Sequence, residues 1–245
     1  MTEPTAPIEL TGSTSRWASA IQAPPGVLDE LAAICPVVDD PQAVAERSRD
    51  WWPLALHWSL AGEVPVRADV AVRPTSTEQV AAVVRVCAGH GLPLTAAGGR
   101  SGVTGASVPV FGGVVLDLTG LAGVVEVDAA SGVVEVMAGT FGPDLESELQ
   151  DGHGLSVGHF PQSFDIATVG GWVACRGAGQ YSTRYGKIED IAVGLEVVTA
   201  SGEVVRTGGA PAAAVGPDLT QLFLGSEGTL GVVTRVWLRA DSTPS

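Results

Sequence analysis

An α+β fold of two packed subdomains is predicted by three observations. Residues 69–95 read as a strand, a helix and a second strand. Residues 124–137 and 191–206 each read as a pair of strands around an Ala-Ser-Gly turn. Short helix signals separate those pairs, and 245 residues at 45% hydrophobic content can bury the core such a mixture needs.

Each element has a local reason. Residues 1 to about 25 are rich in Thr, Ser and Pro and read as a mobile leader. Val27 to Ile34 has the pattern of a short helix, and Asp39-Asp40-Pro41 starts a turn or helix that runs into Arg49-Asp50-Trp51-Trp52. Trp51, Trp52 and Trp58 form the richest aromatic cluster. They pack this segment onto the main body, or one indole faces a ligand. Residues 1–62 are thus expected to be an N-terminal extension with short helices, and residues 63–241 the main domain.

The main domain opens with the strand Asp69-Val70-Ala71-Val72. Thr75 or Ser76 can cap a helix in which Val80, Val83, Val84 and Cys87 recur at helical spacing to about His90. Gly91 ends it, and Leu92 to Thr95 leads into a strand. Gly113 to Leu118 is a strand, and the near repeat at 124–128 and 133–137 is a hairpin. Phe141 to Leu149 reads as a helix, Ile191–Thr199 with Glu203–Arg206 as a second hairpin, Asp218–Leu224 as a short helix, and Gly231–Leu238 as a final strand.

Composition excludes several functions. The net charge is −14, with 13 Lys+Arg against 27 Asp+Glu, so the chain lacks the basic footprint of a nucleic-acid or anionic-membrane binder. An anionic cofactor remains possible, because backbone N–H groups can hold phosphates without formal charge. Cys35, Cys87 and Cys175 are scattered and odd in number, which suits reduced thiols in a cytoplasmic protein. The first residues lack a secretory pattern, and no stretch reaches the roughly 18–20 apolar residues of a membrane span. His57, His90, His153 and His159 show no metal-ligand spacing, so no metal site is expected.

Three glycine-rich segments carry chemistry. The first is Leu94-Thr95-Ala96-Ala97-Gly98-Gly99-Arg100-Ser101-Gly102-Val103-Thr104-Gly105. It follows a strand with little side-chain bulk, so successive N–H groups can curl around a pyrophosphate, with Ser101 adding a hydroxyl. It has neither the Rossmann nor the Walker spacing. The second runs Pro161-Gln162-Ser163-Phe164-Asp165-Ile166-Ala167-Thr168-Val169-Gly170-Gly171-Trp172-Val173-Ala174-Cys175-Arg176-Gly177-Ala178-Gly179. Thr168 can cap a helix whose N-terminus faces a cofactor, and Gly170 and Gly171 allow close approach of a flat ring. Trp172 reads as core. Cys175, with no thiol nearby, makes a weak redox candidate. The third is Leu224-Gly225-Ser226-Glu227-Gly228-Thr229-Leu230-Gly231-Val232-Val233, where Glu227 reads as a structural residue needing backbone N–H partners. A decoy also occurs: Gly154-Leu155-Ser156-Val157-Gly158 matches G-x-S-x-G. No acid and later His complete a triad, so hydrolase chemistry is not expected.

In this order and separation the three segments resemble the FAD-binding domain of the vanillyl-alcohol-oxidase family, the PCMH-type fold, over about residues 66–241. The resemblance implies that FAD binds through Thr95 to Ser101 at the pyrophosphate. It implies further contacts from Gln162 to Thr168 and Cys175 to Ala178 at the ring and ribityl chain, together with Gly225 to Gly231. Some relatives attach flavin to a His after the paired glycines. Arg100 stands there, so the FAD is expected to be non-covalent, with Arg100 either neutralising a phosphate or pointing to solvent. Asp190, in the family-like Tyr185 to Ile191 turn, either caps it or positions the adenosine side.

Two branches of the family compete. Residues 168–190 look most like alkylglycerone-phosphate synthase, a flavin-dependent transferase. The broader pattern, including Arg73 to Val80, is shared with dehydrogenases that oxidise D-2-hydroxy acids by hydride transfer to flavin N5. The oxidoreductase reading is the expected one. In this family a C-terminal substrate cap follows the FAD domain, and that cap is expected to be absent here. The chain alone is then catalytically incomplete and needs a small-molecule substrate plus a cap subunit or homo-oligomer. A non-catalytic flavin-binding subunit or fragment is the third reading, and no catalytic residue is assigned.

Overall fold

The computed structural model describes residues 21–209, 214 and 216–243. Most of the expected leader, residues 1–20, lies outside the described residues, as do Pro244 and Ser245.

The first subdomain combines α1 (Val27–Ala32), β1 (Val37–Val38), α2 (Pro41–Arg47), α3 (Pro53–Leu60), β2 (Val70–Val72), α4 (Thr77–Gly89), β3 (Leu94–Ala97) and β4 (Val114–Asp117). Its four strands run in the order β1-β2-β4-β3. β4 is parallel to both neighbours and every residue in it is buried, which is why it reads Val-Val-Leu without a polar alternation. The strands β2 and β3 are therefore parallel but not adjacent, since β4 inserts between them. Of the two possible caps on α4, Ser76 is the one used: its Oγ accepts from the Gln79 amide at 3.3 Å. Thr75 instead donates its backbone N–H to the Gln79 side chain. The predicted stripe Val80, Val83, Val84 and Cys87 is buried against β2 and β4.

The second subdomain holds β5 (Val124–Asp128), β6 (Val133–Met137), α5 (Gly142–His153), β7 (Leu155–Ser156), α6 (Val169–Cys175), α7 (Ser182–Tyr185), α8 (Ile188–Ile191), β8 (Ala192–Val198), β9 (Val204–Gly208), α9 (Leu219–Phe223), β10 (Val232–Arg239) and β11 (Asp241–Ser242). Both predicted hairpins are present, and β10 joins them into an antiparallel sheet of order β5-β6-β10-β8-β9. Leu145 and Leu149 of α5 and Trp172 and Val173 of α6 bury against Val134, Val136, Leu195 and Val236 of that sheet. The short pair β7–β11 closes one end.

Glu196 on β8 ties the subdomains together. Its side chain is 3% exposed, and it accepts from Thr77 Oγ1 of α4 at 2.7 Å, from Arg206 Nε at 2.8 Å and from Thr234 Oγ1 at 3.1 Å. Burial opposes the charge, but those hydrogen bonds and the nearby Arg235 outweigh it and hold the carboxyl below its ordinary range.

Candidate functional site

β3 ends by feeding its chain into a loop that touches the second subdomain. A Cβ at Gly98 would lie 2.4 Å from Thr168 Oγ1, and one at Gly99 only 2.0 Å from the Ile166 carbonyl oxygen. Only bare backbone lets the two loops meet. Gly98, Gly99, Ser101 and Gly102 all line the cleft that opens beside this contact. Among the described residues, their amides donate to no protein acceptor. A run of free N–H groups in a concave loop is an anion cradle.

The opposite wall is α6 and the segment before it. Thr168 caps the helix as predicted, its Oγ1 accepting from Gly171 N at 3.3 Å. The N-terminus of this helix faces the cleft, but its first amides are already used within the protein. Val169 N–H goes to the Thr140 carbonyl at 2.9 Å and Gly170 N–H to the Ala138 carbonyl at 2.7 Å. With the Thr168 cap, the first turn has no spare donor. Thr168, Gly170 and Gly171 still line the cleft, but as close-packed walls. The third segment crosses the end: Ser226, Glu227, Gly228 and Gly231 line it, with Gly225, Glu227 and Gly228 at φ of 79°, 51° and 79°.

The cleft these loops enclose measures about 940 Å³, near the top of the roughly 300–1,000 Å³ typical of ligand sites. That is room for a dinucleotide. Its ionisable lining is Arg100, Asp165 and Glu227, plus the Cys175 thiol. Arg100 thus lines the cleft. Its backbone sits at φ 55°, a left-handed position that is strained for a side chain of this kind. Glu227 also departs from expectation: it is exposed to the cleft and its carboxylate accepts no hydrogen bond. Partial burial and the charge of Asp50 raise its pKa. Burial and the Glu227 charge likewise raise Cys175, so its sulfur stays a thiol.

Most predicted site residues converge here. From the first segment Ala96 joins Gly98 to Ser101. From the second come Gln162, Ser163, Asp165, Ile166, Ala167, Thr168, Gly170, Gly171, Cys175 and Gly177. Others do not. Thr95 and Ala97 alternate with Ala96 along β3, and Ala97 is buried in the core. Phe164 turns toward Gly142, where an added Cβ would meet its ring at 2.7 Å. Arg176 leaves for an ion pair with Glu189 at 3.4 Å. Ala178, Gly225, Thr229 and Leu230 lie outside the lining. Asp190 also stays away from it and accepts from the Lys187 amide at 2.9 Å, the capping role of its two predicted ones.

Trp51 lines the cleft, the second of the two readings given to the aromatic cluster, and the residues that sequence reasoning did not assign to the site include Val103, Thr104, Ala106 and Ser107 and the small walls Ala138 and Ala174. Trp172 is core as expected, 2% exposed, with one edge on the cleft. The serine decoy is settled by Ser156: it is buried in β7, its Oγ accepts from Gly158 N at 3.0 Å, and the turn after it does not lead directly into a helix. His159 is fully buried, and neither of its ring nitrogens has a hydrogen-bond partner, so it is no catalytic base for Ser156. No cluster of His, Cys, Asp and Glu among the described residues could hold a metal, and no helix there is long and apolar enough to cross a membrane.

Comparison with known proteins agrees with this geometry. The FAD binding domain family matches residues 68–208, more than half of the chain. Alkyldihydroxyacetonephosphate synthase of Dictyostelium discoideum is 35% identical over 186 residues, covering 75% of this chain and 30% of the relative. Glycolate oxidase subunit GlcD of Bacillus subtilis is 33% identical over 177 residues, covering 72% and 37%. D-lactate dehydrogenase of Anaerostipes hadrus is 36% identical over 179 residues, covering 73% and 37%. The chain therefore spans about a third of the length of the curated relatives it matches. A solved alkyldihydroxyacetonephosphate synthase superposes with a TM-score of 0.85 at 28% identity, covering 100% of this chain and 45% of that one. p-Cresol methylhydroxylase superposes at 0.73 and 23% identity, covering 89% and 43%, a likeness of fold alone. With a dinucleotide-sized cleft, a loop of free amides and this match in agreement, FAD is the cofactor and the chain belongs to the FAD binding domain family.

Proposed function

We propose that this chain is the non-covalent FAD-binding part of a flavin-dependent oxidoreductase acting on a D-2-hydroxy acid. The observation that carries cofactor binding is the row of free amides at Gly98, Gly99, Ser101 and Gly102, backed by Arg100 on the cleft wall. They suit a pyrophosphate, whose charge the rest of this acidic chain repels. None of the four histidines lines the cleft, and the Cys175 thiol has a raised pKa, so no nucleophile is poised to attach the flavin. When bound, FAD supplies a hydride acceptor. The chain's own residues bind it, orient it and shield it from water. The choice of a 2-hydroxy acid rests on the relatives named as glycolate oxidase and D-lactate dehydrogenase. On this reading a substrate cap and its general base come from a cap subunit or from further sequence.

One observation favours a second reading. The synthase structure aligns with 100% of this chain, including the N-terminal segment that the family match leaves out. A transferase of that type makes no net use of flavin as an oxidant.

The first test is the visible spectrum of the purified chain before and after acid precipitation. Yellow colour released to the supernatant supports non-covalent FAD. Colour retained in the pellet defeats the non-covalent assignment, and a chain that stays colourless after FAD addition defeats the binding reading. Anaerobic bleaching of the flavin by D-lactate or glycolate, with the cap present, then supports the oxidoreductase. Acyl exchange on an acyl-glycerone phosphate without bleaching supports the transferase.

A further inference from the structure

The extension that precedes the family match is built into the cleft. Residues 49–52 lie upstream of residue 68, where the match begins. Yet Trp51 lines the same cavity as the free-amide loop. Its backbone N–H donates to the Gly102 carbonyl at 3.0 Å. Asp50, 2% exposed, accepts from Trp52 N at 2.9 Å, and burial raises its pKa, an effect partly offset by the nearby backbone amides of Trp52, Ser107 and Gly105. Its Oδ2 has no formal hydrogen bond. The Trp52 ring lies on Gly105, so closely that an added Cβ would meet it at 3.1 Å. Trp52 in turn meets Trp58 edge-on at 5.7 Å, and Trp58 buries against Val108 at the end of the loop.

These contacts occur at four successive points of one loop, namely Gly102, Gly105, Ser107 and Val108. Gly98, Gly99 and Gly102 in the same loop have no side chains of their own to fix it. A glycine-rich loop with unused amides has many conformations to lose on binding. An external brace reduces that loss and raises affinity. Trp52 and Trp58 account for the packing role of the aromatic cluster. Trp51 stands apart from them: it is 37% exposed, and it lies on the cavity wall.

We propose that Asp50-Trp51-Trp52 is a working part of the cofactor site. Asp50 and Trp52 clamp the pyrophosphate loop from outside, and the Trp51 indole forms an aromatic wall against the bound dinucleotide. This rests on the FAD reading above and extends it to a segment outside the matched domain. The functional unit then begins near residue 49, not at residue 63.

Two measurements test it separately. The first needs no cofactor: hydrogen exchange of the Gly105 and Ser107 amides in the wild-type chain and in Asp50→Ala. The clamp predicts exchange about tenfold or more faster in the variant at those amides, with α4 and β10 unchanged. Equal protection in both overturns the clamp. If Asp50→Ala does not fold, Asp50→Asn keeps the shape and weakens the charged contact, and a smaller acceleration at the same amides is expected. The second is FAD affinity, read by quenching of tryptophan emission. Trp51→Ala should weaken binding about tenfold, the scale of losing an aromatic face against a base, and Trp51→Phe should restore most of it. Wild-type binding with Trp51→Ala within about twofold of it overturns the aromatic wall. A wild-type chain that fails to bind FAD overturns the underlying reading and the wall with it, and the exchange experiment still decides the clamp.

Discussion

Three residues show how closely single side chains are fixed by this arrangement. Gly99 has no room for a methyl group, because the Ile166 carbonyl occupies the place where a Cβ would go. Gly99→Ala is expected to lower stability by about 1–3 kcal/mol through overpacking and to abolish FAD binding. A melting curve and a fluorescence titration check both. Arg100 combines left-handed backbone with a place on the cleft wall. Arg100→Gly should therefore relax the backbone, leaving the melting temperature equal or slightly higher, while FAD affinity falls several-fold. Loss of both together would mean that Arg100 is structural. His159 is buried without a hydrogen-bond partner against the Trp172 ring, and burial pushes its pKa from 6.5 down to about 4. The unfolded chain takes up the proton first as the pH falls. Its neutral form thus contributes stability fully above pH 6.5, which is lost progressively down to about pH 4, on the order of 3 kcal/mol at the limit. Urea titrations across that window should show a slope that His159→Leu flattens.

At the scale of elements, the legible parts were those with a local cause. The stripe on α4, both hairpins and the glycine loop are written in spacing and turn chemistry. Sheet order was not legible, because pairing β4 between β2 and β3 is decided by burial on two faces and not by any neighbour in sequence. The same holds for the site. Gly98 to Ser101 could be read from the string, whereas Trp51 reaches the cleft through a tertiary contact that leaves no mark on its flanking residues. The spent donors of α6 were hidden for the same reason, since their acceptors Ala138 and Thr140 come from the turn after β6. Glu196 is the joint between α4 and the second sheet. Glu196→Ala would remove the side-chain acceptor shared by Arg206, Thr77 and Thr234, and a loss of about 1–3 kcal/mol is expected from urea denaturation. Its carboxyl is held below the ordinary 4.5, so its contribution is present above that value and disappears as the pH falls through the depressed one. The variant should lose acid sensitivity below pH 4.5 and keep the His159 slope above it.

For the molecule as a whole, charge opposes its own ligand at long range. The chain carries −14 and the cofactor is a diphosphate. Attraction is confined to the loop amides and Arg100, which act only at contact. Salt screens the long-range repulsion, since the Debye length falls from about 30 Å at 0.01 M to about 8 Å at 0.15 M. FAD association measured by stopped flow should therefore accelerate as salt rises over that range. A rate that slows instead would show that a local positive field at the cleft dominates the encounter.

The strand order has a consequence for how the protein comes to exist. The cofactor loop leaves β3, but β3 has no partner until β4 arrives some twenty residues later in the chain and slots beside it. The far wall of the cleft comes later still, with α6, and the third segment only as β10 begins. During synthesis the pyrophosphate loop is thus made early and becomes usable late. Flavin that touches both walls stabilises the state in which both halves have formed, so its capture favours the fully folded chain.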